Sequence, residues 1–86
     1  MIHKVVRVET RGYILVCYYS AGAAVEYDMT DIVTDTGSMV EPLKDPAYFV
    51  RVFLASGVPT WPNGFDVCSE AVFREGKHLT GRGVSA

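Results

Sequence analysis

The sequence predicts a small α+β domain, in which an antiparallel sheet opening with a three-stranded meander is followed by two or three short helices. Three observations support this prediction. The chain has 86 residues, which leaves room for a single domain. Strand-like apolar patterns fill residues 2–28 and are broken by glycine-containing turns. Helix-start residues followed by apolar residues at helical spacing come only later in the chain.

The three strands of the meander are predicted from their apolar patterns. Residues 2–9 alternate, with Val6 and Val8 on the apolar face, which is typical of a half-buried strand. Residues 13–19 are apolar at every position, which suits a strand covered on both faces. Residues 23–28 alternate again. Short connections between the three segments favour antiparallel pairing of neighbours.

Two helices are predicted in the middle of the chain. Asp28 is followed three residues later by Asp31, and this spacing resembles a capping box at the start of a short helix. The pair Asp45-Pro46 is a clearer helix start, with Asp as N-cap and Pro as first helical residue. We therefore expect a helix near residues 46–50.

The last third of the chain is predicted to be extended and then helical. Residues 58–61 should form a strand at a sheet edge, because Pro59 has no amide hydrogen to donate. Residues 62–64, Pro-Asn-Gly, are typical of a tight turn. Ser69 is the predicted N-cap of a final helix that reaches residue 75.

The domain is predicted to span residues 1–76, and residues 77–86 are expected to form a flexible C-terminal tail because they are polar and rich in glycine. The net charge is −2, so binding to nucleic acid through its phosphates is not expected. No apolar run reaches the roughly 18 residues of a membrane-spanning helix, so no membrane association is expected. The chain shows no secretory leader, which favours a cytoplasmic protein.

Residues able to hold a metal ion or a cofactor are scarce in this sequence. Cys17 and Cys68 lack the close pairing of structural zinc ligands, and we expect both to be buried free thiols. Asp28, Asp31 and Asp35 would share one side of a helix, where a solvated face is a better interpretation than a cation site. The sequence contains no phosphate-binding loop and no nucleophile elbow. We predict no cofactor, no metal ion and no catalytic residue, and a non-enzymatic function is favoured over an enzyme.

Two segments carry a resemblance to a known family. Residues 61–70, which read Trp-Pro-Asn-Gly-Phe-Asp-Val-Cys-Ser-Glu, and residues 42–49 resemble motifs of domain-of-unknown-function family 2442, a group of small bacterial proteins. Residues 20–22 replace the usual Asp-Gly hairpin, and Phe73 stands where many members have tyrosine. The resemblance spans residues 1–75. It implies a small α+β domain of no established activity, and an antitoxin-like role in binding a protein partner.

The Pro-Asn-Gly turn also provides candidates for a ligand site, namely Trp61, Asn63 and Asp66. Tryptophan is a frequent anchor for ligands, and the other two side chains are polar. The structural alternative is that the turn makes a corner and that Trp61 packs on the core. Asn and Gly tolerate a positive φ at little cost, which explains their presence without any ligand.

The tyrosine-rich second strand provides candidates for a protein interface. These are Tyr13, Leu15, Tyr18 and Tyr19, because tyrosine has a large apolar body with a polar tip. A strand without a polar face leaves one sheet face bare unless the chain covers both, and pairing of two copies would hide it. We therefore favour a self-associating interaction module, a homodimer or higher homo-oligomer. The alternative is a small-ligand-binding domain with its site near Trp61 and Asp66.

Overall fold

The predicted α+β class and the N-terminal meander are confirmed by the computed structural model, which describes residues 4–35 and 37–79. In chain order the elements are β1 (Val5–Arg11), β2 (Ile14–Tyr19), β3 (Ala24–Asp28), α1 (Thr30–Val33), a 3-10 helix (Glu41–Lys44), α2 (Pro46–Phe49), β4 (Phe53–Ala55), β5 (Val58–Thr60), α3 (Ser69–Glu75) and β6 (Lys77–His78). Four antiparallel strands form one sheet in the order β1-β2-β3-β6, and β4 and β5 form a second, two-stranded sheet.

The first hairpin is tighter than the sequence predicted. The predicted strand ended at residue 9, whereas β1 continues to Arg11, which pairs with Ile14. Gly12 and Tyr13 alone make the turn, and Gly12 has a φ of +61°. A glycine at the first central position is typical of two-residue hairpin turns, because the backbone there must adopt a positive φ.

A β-bulge near the start of β1 decides which side chains reach the core. The pairing with β2 shifts between Val5 and Arg7, so one additional residue, Val6, is inserted there. Val5 is buried, whereas 54% of Val6 is exposed. The prediction that Val6 shares the apolar face with Val8 is therefore wrong, because a bulge breaks the two-residue period on which it rested.

The start of α2 follows the predicted chemistry, and the starts of α1 and α3 do not. The N-cap of α1 is Met29, which makes no side-chain cap hydrogen bond, so the predicted capping box of Asp28 and Asp31 does not form. The Asp45 carboxylate accepts a hydrogen bond from the Ala47 amide at 3.0 Å, as expected of the N-cap of α2. The N-cap of α3 is Cys68 and not Ser69. Ser69 is the first residue of the helix, is buried, and its hydroxyl donates to the Gly57 carbonyl at 2.8 Å. A tertiary hydrogen bond has thus replaced the predicted cap.

The core lies between the inner face of the four-stranded sheet and the helices. At one end of the core lies the turn of residues 61–65, here called the Trp61 corner. Its largest fully buried side chains are Trp61, Phe49, Leu15, Met29 and Leu43. None of the helices formed by the described residues is long and apolar enough to cross a membrane.

Part of the predicted tail belongs to the sheet. Lys77 and His78 form β6 and pair with β3, and the Leu79 amide donates to the Ala24 carbonyl at 2.8 Å. The His78 ring packs edge-on against Phe73 with 4.7 Å between the ring centres. The rest of the predicted tail, residues 80–86, lies outside the described residues.

We expect Gly76→Ala to destabilise the fold by about 1–3 kcal/mol, because the added methyl group overpacks the junction between α3 and β6. A Cβ there would lie 2.7 Å from the carbonyl oxygens of Glu26 and Val72. Chemical denaturation followed by circular dichroism measures the loss. Gly37→Ala is the control, since a Cβ at Gly37 meets only Val40 at an ordinary 3.5 Å. Equal denaturation midpoints for the two variants would contradict the steric argument.

Candidate functional site

At the Trp61 corner, other residues of the same chain cover the tryptophan ring. The Trp61 indole is fully buried between the rings of Phe49 and Phe65, whose centres lie 5.5 and 5.8 Å from its own. Its N–H donates to the Phe49 carbonyl at 2.9 Å. A buried indole with its N–H group satisfied offers no atom to a ligand, so Trp61 acts here as a core residue.

Asn63 and Asp66 do not join Trp61 around a common cavity. The Asn63 amide group donates to the Met39 carbonyl at 2.8 Å, and its side-chain oxygen accepts from the Phe65 amide at 3.2 Å. Both functional ends of Asn63 are therefore used by the chain. Asp66 is exposed, and its backbone forms an isolated bridge with Thr60. The three predicted ligand residues thus shape one corner and do not converge on a concavity.

A cavity of about 360 Å³ lies elsewhere, between the β4–β5 turn and the start of α3. Its walls include Ser56, Gly57, Cys68 and Glu70, with Lys4, the residue before β1. Ser56 and Gly57 both have a positive φ, +53° and +79°. Sequence reasoning did not identify this cavity, because nothing local indicates that the β4–β5 turn faces α3 across the fold.

The two cysteines differ in environment. Cys17 is buried at the centre of β2, as predicted, and burial raises the pKa of its thiol to about 12. Cys68 is exposed at the cavity, so the prediction of two buried thiols is wrong for this residue. The cause is that Cys68 precedes the first turn of α3, whose buried residues are Ser69 and Val72.

The acidic residues near α1 do not form a metal site. The Asp28 carboxylate accepts hydrogen bonds from the amide and the hydroxyl of Thr30, at 2.9 and 2.6 Å. These hydrogen bonds lower the pKa of Asp28. Among residues 4–35 and 37–79, no group of three or more His, Cys, Asp or Glu side chains could hold a metal ion.

The four predicted interface residues are divided between the two faces of the sheet. Leu15 and Tyr19 are buried in the core, and the Tyr19 hydroxyl donates to the Ser69 carbonyl at 2.9 Å. Tyr13 is half-buried, packs edge-on against Phe49 and donates a hydrogen bond to the Lys44 carbonyl. Of the four, Tyr18 alone lies on the outer face of the sheet, since side chains alternate along β2.

Charged side chains cover the outer face of the sheet. Val16 is the central residue of that face, yet only 5% of it is exposed. It is flanked by Glu9 on β1 and Glu26 on β3. Glu9 forms an ion pair with Arg7, and Glu26 forms one with Arg11. The chain therefore covers both faces of its sheet, which the sequence left open.

Arg7 and Tyr18 complete this outer layer. The Arg7 guanidinium lies over the Tyr18 ring, 4.8 Å from its centre, and the Tyr18 hydroxyl donates to Glu9 at 3.1 Å. Such contacts hold long charged side chains along an apolar surface. Arg7, Glu9 and Arg11 form a regular column of alternating charge along β1.

β1 is an edge strand of the four-stranded sheet. Val5 is the first of its residues, and its amide donates to the Gly57 carbonyl at 3.4 Å. Beyond the bulge, the residues of β1 that exchange backbone hydrogen bonds with β2 are Arg7, Glu9 and Arg11. Since the hydrogen-bonding direction alternates along a strand, the N–H and C=O groups of Val8 and Thr10 point away from β2. Within residues 4–35 and 37–79, neither residue makes a backbone hydrogen bond on that side.

Comparison with known proteins finds no matching family model, no matching curated protein and no matching solved structure. The resemblance to domain-of-unknown-function family 2442 therefore stays a prediction.

The corner requires a glycine at position 64, whose φ is +94°. A Cβ at that position meets only the end of the Met39 side chain, at 3.9 Å, so the cost of a substitution is backbone strain and not a clash. We expect Gly64→Val to lower the free energy of unfolding by about 1–3 kcal/mol, and Gly64→Asn to lower it less, because asparagine tolerates a positive φ. Denaturation midpoints in the reverse order would contradict this account.

The thiol environments predict different reactivities at pH 8. Cys68 should react rapidly with a chromogenic disulfide reagent, whereas Cys17 should react only after denaturation, because its thiol is buried and protonated. Absorbance counts the thiols that react before and after addition of denaturant. Cys68→Ser is expected to abolish the fast reaction of the native protein. Two fast thiols in the native wild type would contradict the burial of Cys17.

Proposed function

We propose that this protein is a non-enzymatic, cytoplasmic interaction module that self-associates and, as the family resemblance implies, binds a protein partner in an antitoxin-like manner. The observation that carries self-association is an apolar surface beside the open edge of the sheet. Val6 on β1 and Phe53 on β4 are 54% and 47% exposed, and these two strands are in contact. Exposed apolar side chains beside a free strand edge are typical of a surface that another chain covers.

The open edge is long enough to matter energetically. β1 has seven residues, and β6 at the opposite edge has two. A seven-residue strand is of ordinary length for a sheet, so a second strand has room to pair with it beyond Val5, whose amide is bonded to the Gly57 carbonyl. β6, by contrast, offers little backbone for pairing. Among the described residues, β1 is therefore the longer edge of the sheet, and the exposed Val6 belongs to it.

The alternative of a ligand site near Trp61 and Asp66 has less support. Trp61 is sealed in the core, and both ends of the Asn63 side chain are hydrogen bonded within the chain. The cavity beside Cys68 is a separate feature, and none of Trp61, Asn63 and Asp66 lines it. A surface function therefore fits the described residues better than a pocket function.

Self-association is tested by sedimentation equilibrium at low micromolar protein. We expect a mass near twice the 9.4 kDa of one chain, which requires roughly 8 kcal/mol of association free energy at micromolar affinity. Phe53→Ser should weaken association by about tenfold, because it removes part of the apolar surface that the second copy covers.

Met39→Ser is the matched control, since Met39 is 46% exposed but belongs to the segment that Asn63 holds at the Trp61 corner. We expect this variant to associate like the wild type. A mass near 9.4 kDa for the wild type would overturn the proposal of self-association. Equal weakening by the two substitutions would overturn the assignment of the surface beside β1.

A further inference from the structure

We propose that two copies of this chain join through their β1 strands, which pair antiparallel about a two-fold axis at Val8 and extend the four-stranded sheet into a continuous eight-stranded sheet. This inference rests on the proposed self-association and specifies its surface and register. It follows from the backbone geometry of β1 and from the order of charges along it.

The backbone of β1 is ready for such pairing. Val8 and Thr10 turn their N–H and C=O groups away from β2. In an antiparallel pair, two residues that point toward each other exchange both of their backbone hydrogen bonds. Val8 opposite the Val8 of a second copy would make two hydrogen bonds, and Thr10 would lie opposite the second copy's Val6.

The charges on β1 decide between the possible registers. Arg7, Glu9 and Arg11 alternate in sign along the outer face. If the two-fold axis passed through Glu9, Glu9 would lie opposite the second copy's Glu9, and Arg7 would lie opposite the second copy's Arg11. Like charges directly opposite each other destabilise a sheet. With the axis at Val8, each Arg7 faces the second copy's Glu9. Charged side chains on an edge strand normally discourage pairing with another chain. In this register they favour pairing, because each charge lies opposite an unlike charge of the second copy.

An axis at Thr10 would also place unlike charges opposite each other. Two features favour the axis at Val8 over the axis at Thr10. An axis at Val8 overlaps the five residues from Val6 to Thr10, beyond the Val5 amide that is bonded to Gly57, whereas an axis at Thr10 overlaps only the last three residues before the turn. An axis at Thr10 would also require Arg11 to face Glu9, although Arg11 is already paired with Glu26 on β3. At Val8, Arg7 and Glu9 keep their own ion pair and join that of the second copy.

The side chains next to the axis also fit. Val8 is half-buried on the inner side of the sheet, where it packs against the core. Two Val8 side chains would meet there as an apolar pair, which is a favourable cross-strand contact. One register therefore uses the free backbone groups, the charges and the apolar pair at Val8 together.

A charge-swap cycle tests the register. Arg7→Glu and Glu9→Arg should each weaken dimerisation by about tenfold in sedimentation equilibrium, because each places two pairs of like charges across the axis. The double variant Arg7→Glu/Glu9→Arg should recover the wild-type dissociation constant to within about threefold, since opposite charges again face each other. The double variant also retains an ion pair within each chain, so its fold should match that of the wild type by circular dichroism.

The control cycle combines Glu9→Arg with Arg11→Glu, which restores complementarity only when the axis lies at Thr10. Recovery in this double variant, and not in the first, would overturn the Val8 register. A dimer that is unaffected by every one of these substitutions would overturn pairing through β1 but leave self-association standing. A monomeric wild type would overturn the proposed function itself, so the two failures are distinguishable.

Discussion

The hydrogen bond from the Trp61 indole to the Phe49 carbonyl is the contact on which the second half of the chain depends. A fully buried indole N–H needs an acceptor, and here the acceptor is the last carbonyl of a four-residue helix. This bond fixes α2 against the corner that Trp61 begins. Phe49 in turn packs against Tyr13, the residue before β2. One buried ring cluster thus joins the corner, the helix and the sheet.

The sheet is closed on its two faces by different physical means. The inner face is covered by apolar side chains of the helices and of the Trp61 corner, and this burial is driven by the hydrophobic effect. The outer face is covered by the chain's own arginine and glutamate side chains, which lie along the apolar stripe of β2. Because the described residues occupy both faces of this sheet, the surface that we propose for a second copy is its β1 edge. The candidate interface is therefore the backbone of β1 and not the tyrosine side chains of β2.

Much of the local structure could be predicted because it depends on neighbours in the sequence. The Asp45-Pro46 helix start, the Pro-Asn-Gly turn and the three strands of the meander all follow from capping, turn and alternation rules. The errors occur where a distant residue intervenes. Ser69 bonds to Gly57 and does not cap α3. Cys68 is exposed because the helix turns its buried side elsewhere.

The sequence by itself determined the α+β class, the order of β1, β2, β3, α2 and α3, and the residue types that the turns require, since these depend on interactions over a few residues. Only the tertiary structure decided which face of β2 is the core, that the chain covers the other face with its own charges, and that the predicted ligand residues close a corner. The bulge at Val6 shows the reason. A single inserted residue reverses the alternation of a strand, and whether it is inserted depends on the strand beside it and on the packing of the whole domain.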